Sequence, residues 1–236
     1  MLAAALKAVL LPLLAAQAWR LRRTAPELPE AAGPREGTVG SGAPLRLLIV
    51  GDSSAAGVGV ATQDEALAGH LTRQLAALSG RCIEWRLLAR SGLASADALM
   101  LLHDAAPAPH DFAVVVLGVN DVVGQVPPRR ALRHRAALAD ALRAHAGVRH
   151  VVFAPLPPME RFPLLPAPLR WVAGADARAH DRALARWAAT RADTHHVPID
   201  LKLDRAAMAP DGFHPGAPVY RQCGAALAEF IATRLA

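Results

Sequence analysis

Apolar residues form five short runs from residue 45 onward, and each run is almost continuously apolar or β-branched. Such runs are typical of strands that are buried on both faces of a parallel sheet. They predict strands at 45–50, 82–89, 112–117, 149–154 and 195–200. The longer segments between and after them have one apolar face and predict helices at about 63–79, 95–103, 129–146, 174–192 and 217–235. This alternation predicts an α/β fold with a five-stranded parallel sheet.

The amino-terminal segment 1–23 is dominated by apolar side chains and contains no acidic residue. Its uninterrupted apolar stretch, 8–16, is nine residues long, which is too short to span a bilayer. Three interpretations stay open: a helix on a membrane surface or on the domain itself, a signal peptide cleaved after the Ala-Gln-Ala at 16–18, and a short membrane anchor. Arginines at 20, 22 and 23 argue against export, because positive charge after an apolar segment tends to hold that flank in the cytoplasm. A membrane-associated or cytoplasmic location is therefore favoured.

Residues 24–44 contain four prolines and four glycines, and this composition is typical of a linker. The predicted organisation is an apolar segment at 1–23, a linker at 24–44 and one domain at 45–236. Because the candidate motifs described below lie after residue 44, we expect a chain without residues 1–40 to fold and to keep its function.

The overall charge restricts the classes of partner. The chain has 53% hydrophobic and 19% charged residues, as a globular protein does, and a formal net charge of +6. The densest arginine set, Arg129, Arg130, Arg133 and Arg135, is not interleaved with aromatic residues, so we interpret it as a solvated helix face and expect no nucleic-acid partner. With only two cysteines, a disulfide framework is excluded. The histidines show no H-E-x-x-H or similar metal-ligand spacing, so no metal or cofactor is expected.

Candidate chemistry is concentrated in four blocks. Residues 51–53 (Gly-Asp-Ser) follow the first strand, 91–92 (Ser-Gly) the second and 118–121 (Gly-Val-Asn-Asp) the third, while 211–214 (Asp-Gly-Phe-His) precede the last helix. The carboxyl ends of parallel strands meet at one edge of a sheet, where open α/β folds bind their ligands. We therefore expect these blocks to meet there.

The four blocks resemble those of the SGNH (GDSL-type) hydrolases, a family named for Ser, Gly, Asn and His in separate blocks. All four occur here in the family's order, and the resemblance covers about residues 45–235. One block alone is weak, but four in order are a specific signal. The resemblance implies a flavodoxin-like α/β/α sandwich with a five-stranded parallel sheet and the activity of a serine esterase.

A serine hydroxyl is a poor nucleophile unless a base removes its proton, and histidine has a suitable pKa. Ser53 is accordingly the predicted nucleophile and His214 its base. Asp211 would hydrogen-bond the other imidazole nitrogen and stabilise the imidazolium. Ser54 departs from the commoner family pattern, in which a bulkier apolar residue often follows the nucleophile.

The resemblance also implies an oxyanion hole, because ester attack builds negative charge on the carbonyl oxygen. Its donors would be the backbone N–H groups of Ser53 and Gly92 and the side-chain amide of Asn120. Asp52 and Asp121 are interpreted as residues that brace their loops.

Segment 155–173 is rich in proline and leucine and follows the fourth strand, so it lies at the same edge of the sheet. One interpretation is a wall that binds the acyl group, with Leu164 and Leu165 as substrate-binding residues and a preference for butanoyl to octanoyl esters. The other is that these side chains only cover the core.

The expected substrate is a small or lipid-like ester. A carbohydrate O-deacetylase of the same family and a non-catalytic flavodoxin-like binding module are the alternatives. A dinucleotide-binding site is excluded, because Gly57 and Gly59 come too late after the first strand for a G-x-G-x-x-G motif.

Overall fold

The secondary structure follows the expected alternation. The computed structural model describes the backbone of residues 2–235 and the side chains of residues 9–235. Its strands are β1 (Glu36–Val39), β2 (Pro44–Gly51), β3 (Cys82–Ala89), β4 (Phe112–Val116), β5 (His150–Phe153) and β6 (Thr194–His196). Its helices are α1 (Leu2–Thr24), α2 (Leu67–Ser79), α3 (Ala98–Ala105), α4 (Val119–Val123), α5 (Pro128–Ala146), α6 (Leu169–Ala188) and α7 (Ala217–Ala232).

The strands form one sheet in the order β1-β3-β2-β4-β5-β6. All five predicted strands are present and run parallel to one another, but the last is shorter than predicted and spans 194–196 in place of 195–200. Side chains alternate along β2, so Leu48 and Val50 pack with α3, α5 and α6, whereas Leu47 and Ile49 pack with α2 and α7. Helices thus cover both faces, which confirms the predicted α/β/α architecture.

A sixth strand, β1, lies within the predicted linker. It pairs antiparallel with residues 83–86 of β3. Its first three residues are exposed, so it lacks the apolar alternation by which a strand is recognised from sequence. Gly37 allows close packing, because a Cβ there would lie 3.2 Å from Nε1 of Trp85.

Residues just before β1 hold the loop that follows β3. The Glu30 carboxylate accepts the backbone N–H of Ser91 at 2.7 Å and pairs with Arg35, which donates to the carbonyl of Ala89 at 2.6 Å. Partial burial alone would raise the pKa of Glu30, but the hydrogen bonds from Ser91 and the Arg35 charge lower it below its usual value. Residues 30–39 are therefore part of the folded domain, which begins before residue 45, the boundary predicted from the sequence.

Helix α1 lies against the start of α6. Leu14 is buried, and the Gln17 amide makes two backbone hydrogen bonds, donating to the carbonyl of Ala167 at 2.8 Å and accepting the N–H of Leu169 at 3.2 Å. Across residues 2–235, no helix combines the length and the hydropathy required to cross a bilayer.

Two deletions test this boundary. Removal of residues 1–25 loses α1 and the burial of Leu14, which is worth about 1.5–3 kcal/mol, and we expect a folded domain. Removal of residues 1–40 also loses β1, Glu30 and Arg35, and we expect a much lower melting temperature by circular dichroism. Equal melting temperatures for the two proteins would show that residues 26–40 do not stabilise the domain.

Candidate active site

Three of the four blocks start side by side at the carboxyl edge of the sheet. Gly51 at the end of β2 lies beside Ala89 of β3 and Val116 of β4. Hydrogen bonds continue past the strands, from the N–H of Asp52 to the carbonyl of Val116 at 3.1 Å and from the N–H of Arg90 to the carbonyl of Gly51 at 3.2 Å. The loops after these strands are therefore held in fixed relation.

Ser53, His214 and Asp211 form a continuous hydrogen-bonded chain. Nε2 of His214 lies 3.0 Å from Oγ of Ser53, and Nδ1 lies 2.6 Å from Oδ2 of Asp211. With Nδ1 as the donor to the carboxylate, Nε2 carries a lone pair directed at the serine hydroxyl. The structure thus brings together the three residues that the sequence predicted as nucleophile, base and orienting acid.

Asp211 is held as a carboxylate. Burial alone would raise its pKa, but hydrogen bonds from the His214 ring and from the backbone N–H groups of Phe213 and His214 lower it. These two N–H groups donate to Oδ1 at 2.9 and 3.0 Å, which leaves Oδ2 for the imidazole. The Asp-x-x-His spacing therefore lets a single carboxylate fix both the turn and the ring.

Close backbone contact brings the His214 loop to the Ser53 turn. Gly59 has a φ of +105°, and a Cβ at this position would collide with the carbonyl oxygen of Pro215. On the other side, Tyr220 of α7 donates to the carbonyl of Val58 at 2.7 Å. Gly59, which belongs to no nucleotide-binding motif, is required here because its lack of a side chain lets the two loops come into contact.

Asp52 braces the turn that carries the serine, as expected. Its Oδ1 accepts the backbone N–H of Ser54 at 2.9 Å, so residues 52–54 form a tight turn that orients Ser53. Complete burial raises the pKa of Asp52 to about 7, and repulsion from the Asp121 carboxylate adds to the effect.

Two of the three predicted oxyanion donors, Gly92 and Asn120, lie on the segments that follow β3 and β4. Gly92 has a φ of +78°, a conformation that glycine adopts without strain. The Asn120 amide donates one hydrogen to the carbonyl of Leu93 at 3.1 Å and carries a second one. Within the described part of the chain, the backbone N–H groups of Ser53 and Gly92 donate to no protein acceptor.

A buried ion pair joins these two loops. Asp121, next to Asn120, accepts the backbone N–H of Ser95 at 3.2 Å and its hydroxyl at 2.5 Å. Nη2 of Arg135 donates to the same carboxylate at 2.9 Å, and its Nε donates to Oγ of Ser95 at 3.0 Å. Both charged side chains are 1% exposed. Asp121 thus braces its loop, as expected, and Ser95 contacts both members of the ion pair.

The burial of Arg135 contradicts the interpretation of the arginine set as entirely solvated. Arg129, Arg130 and Arg133 are exposed, but Arg135 faces the sheet. The helical spacing of the sequence could have indicated this burial, because Arg135 is four residues from both Ala131 and Ala139, which lie on the buried face of α5. A Cβ on Gly118 would lie 2.5 Å from Nη2 of Arg135, so this glycine admits the guanidinium.

An apolar cavity opens beside Ser53 and His214. It reaches the core, since the buried residues Leu67 and Leu227 belong to its wall. Further lining side chains come from β4, α4 and α7 and from the loops after β5 and β6. They include Val116, Val119, Pro155, Pro157, Phe162, Leu201, Met208, Val219 and Cys223.

Segment 155–173 contributes to this cavity through Pro155, Pro157 and Phe162. Leu164 and Leu165 do not line it. Leu165 is buried in the core, and the N–H of Leu164 donates to the carbonyl of Gly212 at 3.0 Å, which positions the Asp211 loop. Cys223 is a free thiol, and burial of its sulfur raises its pKa to about 12, so it remains protonated at neutral pH.

A serine, histidine and aspartate in this geometry on a flavodoxin-like α/β/α fold define the class of SGNH hydrolases. The chain matches the GDSL-like lipase/acylhydrolase family over residues 49–222, and it belongs to this family.

Comparisons with individual proteins agree. A GDSL-like esterase of Mycobacterium tuberculosis is 29% identical over 191 residues, which cover 75% of this chain but only 58% of that protein. The lipase Lip_vut3 from a goat rumen metagenome has a similar fold, with a TM-score of 0.63 and 15% identity over 78% of this chain and 96% of that one. The esterase EstA from Pseudoalteromonas sp. also has a similar fold, with a TM-score of 0.58 and 18% identity over 80% of this chain and 98% of that one.

The buried pair predicts a specific loss of stability. Arg135→Met leaves the Asp121 carboxylate buried without a counter-charge and should lower the free energy of unfolding by about 3–5 kcal/mol, measured by urea denaturation at pH 7. Adding Asp121→Asn should recover part of the loss. The matched control is Arg133→Met, an exposed position on the same helix, for which we expect less than about 0.5 kcal/mol. Equal effects at the two positions would disprove the role of the pair.

Proposed function

We propose that this protein hydrolyses carboxylic esters through an acyl-enzyme on Ser53. The observation that carries the proposal is the hydrogen-bonded chain from Ser53 through His214 to Asp211, placed at the mouth of an apolar cavity. A binding module has no need of a base aligned on a serine hydroxyl, and family membership supports the same activity.

In the first half-reaction, Oγ of Ser53 attacks the carbonyl carbon while its proton passes to Nε2 of His214. Asp211 holds the Nδ1 proton and stabilises the imidazolium without accepting that proton. The lowered pKa of Asp211 suits this role, because the carboxylate stays charged at neutral pH.

The carbonyl oxygen becomes an oxyanion, and we assign its stabilisation to the N–H groups of Ser53 and Gly92 and to the amide of Asn120. Donors already in place when the charge develops lower the barrier most. The network of Asp121, Ser95 and Arg135 supports this assignment, since it ties the loops that carry Gly92 and Asn120. Removing one such donor costs on the order of 10² to 10³ in kcat.

The tetrahedral intermediate then collapses. The bond from carbon to the alcohol oxygen breaks, and His214 returns its proton to the departing alcohol. A water molecule repeats the sequence on the acyl-enzyme, giving up a proton to His214 and releasing the acid and the free Ser53 hydroxyl.

We assign the cavity to the acyl group, because its walls are almost entirely aliphatic and aromatic. Phe162 stacks edge-on against Phe213, with ring centroids 5.2 Å apart, and Phe213 precedes the base His214. The acyl wall in segment 155–173 is therefore formed by Phe162 and two prolines rather than by Leu164 and Leu165. A carbohydrate O-deacetylase would use an acetyl group and leave this cavity largely empty.

The serine pair gives the first activity test. Ser53→Ala is expected to abolish hydrolysis of a chromogenic butanoyl ester, whereas Ser54→Ala should retain it, because the structure directs Nε2 of His214 at Ser53. A fluorophosphonate probe followed by peptide mass spectrometry should label Ser53 alone. Turnover by Ser53→Ala would exclude the proposed nucleophile, and an inactive but folded wild-type protein would favour the binding module.

Cys223, a half-buried residue that lines the cavity, gives a test of acyl length. Each buried methylene is worth about 0.8 kcal/mol, so kcat/KM should rise by up to about fourfold per methylene from acetyl to butanoyl esters. Cys223→Leu fills the cavity and should shift the optimum to shorter chains, whereas the matched variant Cys223→Ala should shift it to longer ones.

The two Cys223 variants discriminate the alternatives. If both change kcat/KM equally for all acyl lengths, the acyl group does not bind in the cavity. A wild-type preference for acetyl esters would favour the carbohydrate deacetylase. Aspartate at positions 164 and 165 is less informative, because Leu165 is buried and a charge there would unfold the protein.

A further inference from the structure

Helix α1 exposes apolar side chains to solvent. Val9, Leu11 and Leu13 are 77%, 60% and 47% exposed, and Trp19 is 60% exposed. Leu14, by contrast, is buried. Several large apolar side chains exposed on one helix are a mark of an interaction surface.

The charge of α1 identifies the kind of surface. The helix contains no acidic residue, and Arg20, Arg22 and Arg23 are exposed at its carboxyl end. The guanidinium of Arg23 lies over the ring of Trp19, 4.5 Å from its centroid. Apolar turns followed by tryptophan and arginine fit the boundary between acyl chains and anionic head groups.

Helix α1 is fixed to the domain next to the proposed acyl wall. The two Gln17 hydrogen bonds hold it to Ala167 and Leu169, at the end of the segment whose earlier residue Phe162 lines the cavity. Trp171, two residues beyond Leu169, is 63% exposed and adds a second large aromatic side chain near this junction.

We propose that α1, together with Trp171, binds this protein to the surface of a membrane that contains anionic lipids, and that Gln17 couples the bound helix to the wall of the acyl cavity. The second half rests on the proposed esterase function, and it names the substrate class as acyl esters carried in a lipid surface. The helix lies along the interface, with its arginines at the head groups.

The binding test uses the full-length protein and sedimentation with vesicles. Binding to phosphatidylcholine vesicles that contain phosphatidylglycerol should exceed binding to phosphatidylcholine alone, and 0.5 M salt should weaken it. Replacing Arg20, Arg22 and Arg23 by Gln should weaken binding roughly a hundredfold, since each basic residue near an anionic surface contributes about 1 kcal/mol, or about fivefold in affinity.

A matched control separates this site from general basicity. Arg129, Arg130 and Arg133, three exposed arginines on α5, are replaced by Gln with the same change in net charge, and vesicle binding should stay within about twofold of wild type. An equal loss in both triple variants, or no binding by wild type, would overturn the proposal. So would mature protein from cells that begins at Trp19, because α1 would then have been removed.

Coupling has its own readout. Gln17→Ala should leave vesicle binding and hydrolysis of a soluble ester unchanged but reduce the preference for vesicle-borne over soluble esters; an unchanged preference would disprove coupling. Ser53→Ala should still bind vesicles, so failure of the esterase proposal and failure of membrane binding are told apart.

Discussion

Asp121 carries a carboxylate at a position that water does not reach, and the cost of such a charge is met only by a positive partner and several hydrogen bonds. Arg135 supplies the charge from α5, and Ser95 supplies a hydroxyl and an N–H from the loop after β3. The catalytic edge of the sheet depends on this pair, because three separate segments are fixed by one buried charge. Two of the proposed oxyanion donors, Gly92 and Asn120, lie on two of these segments.

The site also depends on two glycines whose lack of a side chain leaves room for neighbouring groups. Gly118 leaves room for the Arg135 guanidinium, and Gly59 leaves room for the carbonyl of Pro215. In both places a side chain would separate segments that must touch. The distance between His214 and Ser53 is therefore set by positions that take no part in the chemistry.

Most of the fold could be predicted from the sequence, because the central strands β2, β4 and β5 are largely buried on both faces and hydrophobicity alone marks them. The geometry of Ser53, Asp211 and His214 was also accessible, since each lies in a block of fixed spacing at the carboxyl edge. Strand β1 could not be found in this way, because it is short and exposed and is held by backbone pairing. The burial of Arg135 and the inward packing of Leu165 depend on helix rotation and loop path, which composition does not specify.

The two outer strands of the sheet are both short, with four residues in β1 and three in β6. An unpaired strand edge is a template on which another chain can add a strand, and brief edges offer little to such a partner. β1 also covers half of the eight-residue β3, whose outer edge would otherwise be long and unprotected. The segment at 36–39 thus occupies an edge of β3 with which another chain could otherwise pair.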